Sequence, residues 1–112
     1  MQLSRLDKLL EFLKNEPDDE FLQYALATEY LRLNETEKAL QYFETLVNKH
    51  PGYVGTYYHL GKLYQALNRK TDAISTYEKG MQVASQKRDN HSFSELQTVY
   101  REATGWDEED DF

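Results

Sequence analysis

The chain has 112 residues, 39% hydrophobic and 29% charged, which is enough for one domain with a core that needs no covalent staples. It contains no cysteine, so disulfides, thiolate nucleophiles, zinc knuckles and iron–sulfur clusters are excluded, and a cytoplasmic setting is expected. The net charge of −7, concentrated in the acids at 107–111, opposes phosphate backbones, and no basic run offsets it, so nucleic acid is not an expected partner.

The N-terminal residues carry charges every few positions around no uninterrupted apolar stretch, so they do not read as a signal peptide. Leu3, Leu6, Leu9, Leu10 and Leu13 fall at helical spacing, Ser4 and Asp7 stand in capping register, and Pro17 marks the end of this first helix. Asp18 and Asp19 offer N-cap oxygens to a second helix, whose stripe is Leu22, Leu26, Tyr30 and Leu33. Asn34 is expected to close it in a left-handed conformation. Thr36 or Glu37 opens a third, with Ala39, Leu40, Phe43, Leu46 and Val47 on its apolar side and Pro51-Gly52 as the break.

A fourth helix starts near Tyr53 and carries Tyr57, Leu60, Gly61, Tyr64 and Leu67, after which Asn68 repeats the turn. Thr71 is expected to cap a fifth, which holds Ala73, Ile74, Tyr77, Met81 and Val83 and fades between Ser85 and Asn90. A sixth runs from about Ser92 to Ala103 with Phe93, Leu96, Val99 and Tyr100. No segment alternates with period two, and nothing approaches the roughly 20 apolar residues of a membrane span, so the fold class is all-α and no membrane partner is expected.

Two stretches repeat. Leu26, Tyr30, Leu33, Asn34, Ala39 and Phe43 recur 34 positions on as Leu60, Tyr64, Leu67, Asn68, Ala73 and Tyr77. A helix pair repeated at fixed period cannot bury its apolar stripe alone, so successive pairs stack. A weaker echo, Leu96 to Tyr100, is displaced by two further residues, expected between the fifth and sixth helices.

With Leu26, Ala27, Tyr30, Ala39, Phe43, Leu46 and Pro51 in one copy and Leu60, Gly61, Tyr64, Ala73 and Tyr77 in the next, the chain resembles the tetratricopeptide repeat family. The resemblance implies a right-handed superhelical stack of antiparallel helix pairs over residues 1–105. Its parts are a half unit at 1–17, repeats at 20–53 and 54–88, and a terminal helix at 91–104, followed by an acidic tail at 106–112.

The candidate catalytic groups are His50, His59 and His91 with scattered carboxylates, and none has metal-ligand spacing. The glycines are isolated, so no phosphate loop exists. The chain is therefore expected not to be an enzyme, and no catalytic residue, metal or cofactor is assigned. His50 reads as a helix C-terminal residue facing the helix dipole.

The resemblance implies that function lies in a concave groove lined by the first helix of each unit. The matching positions are Phe21, Tyr24, Ala25, Thr28, Leu31 and Arg32, then Gly55, Tyr58, His59, Lys62, Gln65 and Ala66, with His91, Ser94, Glu95, Thr98, Arg101 and Glu102 from the sixth helix. Phe21, Tyr24, Thr28, Arg32, Tyr58, His59, Lys62 and Gln65 form the expected peptide-binding set. In the first two helices of this set the charged groups are Arg32 and Lys62, with no acid. The expected partner is accordingly a protein or peptide segment bearing an aromatic or aliphatic side chain and one or more carboxylates. Ala25, Thr28 and His59 stand where the chaperone-binding members of the family carry a carboxylate clamp, so chaperone-tail binding is not expected.

The acids after Trp106 read as a solvated tail. They also resemble the tryptophan-acidic motifs that some family members recognise, which gives the alternative expectation of a homo-oligomer. It would form by docking the tail in a groove, or by end-to-end stacking through Leu6, Leu10 and Leu13 or Phe93 and Trp106.

Overall fold

The computed structural model describes residues 4–105; Leu3 and the tail from Trp106 lie outside the described residues. These residues form six helices and no strand: α1 (Arg5–Asn15), α2 (Glu20–Arg32), α3 (Thr36–Lys49), α4 (Gly55–Ala66), α5 (Lys70–Gln86) and α6 (Asn90–Thr104). They divide into two units between Tyr53 and Val54.

In the first unit α2 packs against both α3 and α1. Ser4 caps α1, its Oγ accepting from the Asp7 amide at 3.1 Å, and Asp19 caps α2, its Oδ1 accepting from the Leu22 amide at 3.0 Å. These side chains satisfy amides that a helix start leaves without a partner. The centre of the unit is Leu26, Ala27, Ala39, Phe43 and Leu46, all fully buried. Truncating a phenylalanine in such a setting, as in Phe43→Ala, costs about 3–5 kcal/mol. α1 is attached more lightly: Leu6, Leu9, Leu10 and Leu13 are half-buried and no residue of the helix is fully so.

In the second unit α5 packs against both α4 and α6. Tyr57, Ala73, Tyr77 and Ala84 have no exposed surface, and Leu60, Leu96, Val99 and Ala103 are also buried. Two glycines permit the close approach of these helices. A Cβ on Gly61 would overlap the Tyr77 ring, and one on Gly80 would stand 2.5 Å from the Tyr57 Cβ and 3.1 Å from the Leu96 Cδ1.

The turns after α2, α4 and α5 share one geometry. Asn34, Asn68 and Arg88 take positive φ values of 61°, 60° and 57°. The following amides, of Glu35, Arg69 and Asp89, donate back to the carbonyls of Tyr30, Tyr64 and Ala84 at 2.8–2.9 Å. This is the Schellman arrangement, which satisfies carbonyls at a helix C-terminus and reverses the chain within two or three residues.

Three expectations are corrected. Leu33 and Leu67, expected on the apolar stripes, are 41% and 40% exposed, because each is the C-cap where the chain already turns away from its helix. Thr71 is not a cap: α5 begins at Lys70, with Arg69 at the N-cap and no capping side-chain bond. The additional residues before the third echo do not lengthen a loop. They extend α5 to 17 residues against 14 in α3, and the turn at Arg88 remains tight.

Candidate functional site

Phe21, Tyr24, Thr28 and Arg32 lie on α2 of the first unit. Phe21 is 70% exposed and meets the Tyr53 ring edge-on at 5.9 Å. Tyr24 is half-buried against Tyr53 (5.1 Å) and Phe43 (6.4 Å), and burial, with Tyr53 beside it, raises its phenol above the ordinary range. The Thr28 hydroxyl donates within its own helix, to the carbonyls of Tyr24 at 3.1 Å and Ala25 at 3.0 Å.

Arg32 is not an unopposed cation. Its Nε and Nη2 donate to the two carboxylate oxygens of Glu29 at 3.0 and 2.6 Å, and Arg5 of α1 approaches the same carboxylate at 3.6 Å. Glu29 is 4% exposed. Its hydrogen bonds from Arg32, helped by the charges of Arg32 and Arg5, outweigh burial and hold the carboxyl below the usual range. The Arg32 cation, expected to stand without an acid on α2, is therefore paired with Glu29. The spacing of Glu29 and Arg32 on one helix face was the available signal for it.

Tyr58, His59, Lys62 and Gln65 lie on α4 of the second unit. Tyr58 and Lys62 meet α6 residues around an open cavity of about 250 Å³, lined also by Glu95, Thr98, Val99 and Glu102. Lys62 is exposed and stands in a setting with two carboxylates rather than on a purely basic face. His59 is half-buried edge-on to Tyr58 at 5.7 Å; burial lowers its pKa, with Glu95 acting in the opposite sense. Gln65 turns toward the core, its Oε1 accepting from the Tyr77 hydroxyl at 2.5 Å. Its carbonyl is thus already occupied. Val99 is a cavity residue that sequence reasoning assigned only to the core.

His50 closes α3, its ring Nε2 donating to the Asp18 carbonyl at 3.0 Å while Nδ1 faces Glu20 at 3.4 Å. His91 is exposed, 3.4 Å from Glu95. Among the described residues no group of three or more His, Cys, Asp or Glu side chains is arranged to hold a metal ion, and no helix is long and apolar enough to cross a membrane.

The family model for anaphase-promoting complex, cyclosome, subunit 3 matches residues 3–80. No match was found among curated proteins. The chain is similar to a tetratricopeptide repeat domain protein from Salinibacter ruber, with 49% identity and a TM-score of 0.76 to its crystal structure, over 78% of this chain and 97% of that one. The solution structure of the Salinibacter ruber domain matches with the same identity and TM-score, over 80% of this chain and 90% of that one. The TPR2B domain of yeast Sti1, in a complex with pHsp70, superposes with a TM-score of 0.81 over 90% of this chain and 81% of that one. At 18% identity that is a likeness of fold.

Proposed function

The chain belongs to the tetratricopeptide repeat family, and from that premise we propose that it is a non-catalytic protein-interaction scaffold that holds a peptide segment on the α4–α6 face of its second unit. The observation that carries this reading is the convergence of Tyr58, Lys62, Glu95, Thr98 and Glu102 on one open cavity of about 250 Å³. A concave patch with an aromatic wall and a few converging polar groups is the usual form of a binding site.

An aromatic side chain of the partner stacks on Tyr58, and a single carboxylate meets Lys62. Glu95 and Glu102 repel a run of acids, so the face selects an isolated acidic group beside an apolar anchor. In the first unit Arg32 is already bound to Glu29, so it adds no free cation of the kind that Lys62 supplies here.

Calorimetric titration of an aromatic peptide with one carboxylate against the protein and against Lys62→Glu tests the reading. Binding that weakens about tenfold in the variant supports it; equal affinity removes Lys62 from the site.

A second reading, end-to-end self-association, is favoured by the light burial of α1. Leu10 and Leu13, with Pro17, line an open apolar hollow of about 670 Å³. A concentration-dependent mass in sedimentation equilibrium, abolished by Leu10→Glu, supports it. The tail invoked by its other form lies outside the described residues.

A further inference from the structure

The first unit carries a second surface whose charge is the opposite of the one expected for the peptide groove. Phe12 of α1 and Phe21 of α2 are 59% and 70% exposed, and with Asn15, Glu16, Asp19 and Leu22 they line a cleft of about 320 Å³. Two exposed phenylalanines sharing one cleft are unlike the scattered single apolar residues of an ordinary surface.

The charged groups of the cleft are both acidic, Glu16 and Asp19. They belong to an acidic connector, Glu16-Pro17-Asp18-Asp19-Glu20. Within it Asp18 is drawn to Lys49 at 3.6 Å and Glu20 faces His50 at 3.4 Å, away from the cleft residues. Glu16 makes no ion pair among the described residues, and Asp19 uses Oδ1 alone, on the Leu22 amide. The cleft thus keeps carboxylate capacity next to two accessible rings.

We propose that this cleft docks a protein segment in which an apolar side chain is flanked by arginine or lysine. The apolar group enters between Phe12 and Phe21. The neighbouring cation pairs with Glu16 and lies over a ring face, where cation and ring quadrupole attract. An acidic segment is repelled by the same carboxylates, including the run at residues 107–111 of this chain, and so is an anionic lipid surface. This surface is independent of the α4–α6 reading, because it lies on the other unit and selects the other sign of charge.

Fluorescence anisotropy with the full chain tests the assignment, using a labelled peptide of leucine, phenylalanine and arginine and a twin in which every arginine is glutamine. The expected result is binding of the arginine peptide, with the twin weaker by about tenfold or more. Phe12→Ser and Glu16→Lys each weaken binding about tenfold, whereas Lys79→Glu, at an exposed position on α5, leaves it unchanged. Phe12 and Glu16 are exposed, so both variants should fold, as circular dichroism will verify. The proposal is overturned if the two peptides bind alike, if the arginine peptide does not bind, or if both variants bind as the parent does. It is equally overturned by self-association that Phe12→Ser abolishes, since the cleft would then be an interface between copies.

Discussion

The ring of Tyr77 occupies the space that a side chain at Gly61 would need, and its hydroxyl donates to Gln65 one turn further along α4, at 2.5 Å. Burial, with smaller contributions from Tyr58 and Glu102, holds the Tyr77 phenol far above the ordinary range, so it remains a donor at any working pH. Gly61→Ala gains about 1 kcal/mol of helix propensity and loses about 1–3 kcal/mol to overpacking. The overlapping atoms are ring carbons of a fully buried tyrosine, not a flexible chain end, so the upper part of that range applies. A net loss of about 2 kcal/mol in urea unfolding is expected, and Tyr77→Leu in the Gly61→Ala background should cost less than it does alone.

Arg88 holds the same left-handed turn as Asn34 and Asn68, at φ 57°, without the local polar side chain that lets Asn adopt it. Arg88→Gly should therefore raise stability by about 1 kcal/mol, seen as a rise of a few degrees in Tm. The same change at Asn34 should do much less. A fall in stability at Arg88→Gly would mean that the arginine side chain, not the backbone, holds this turn.

Glu29 ties α1 to α2 through Arg5, while Arg32 of its own helix holds the carboxylate in place. Its carboxyl titrates below 4.5 in the folded chain, so between the two values the unfolded state binds more protons. The stability it contributes is complete above pH 4.5 and is lost as pH falls through the folded value. Glu29→Gln should lower stability at pH 7 and flatten its decline below pH 4.5 in thermal melts taken across that window. Hydrogen exchange should show faster opening of α1 amides in the variant, as Arg5 loses its anchor.

Much of the fold was legible in the residues because its cues are local or periodic. The recurrence of Leu26, Ala39 and Phe43 as Leu60, Ala73 and Tyr77 marks core positions, all of which are buried. Ser4, Asp19, Asn34 and Asn68 act where their side-chain chemistry suits a helix end. The turn at Arg88 carried no such cue, because arginine has no turn preference. It forms where α5 and α6 pack.

The candidate sites were less legible. A list of side chains on one helix does not say which of them are already claimed, by their own helix or by another element. Arg32 is taken by Glu29, Thr28 by its own helix and Gln65 by Tyr77, while Lys62 stands in a cavity shared with Glu95 and Glu102. Phe12 and Phe21 share a cleft although they lie on different helices. By itself the sequence determined the helices, the helix ends at Ser4, Asp19, Asn34 and Asn68, and the repeated core, since these depend on spacing along one chain. Only the tertiary structure decided which groups meet across helices, as Gln65 meets Tyr77 and Lys62 shares a cavity with Glu95 and Glu102, because packing sets those distances.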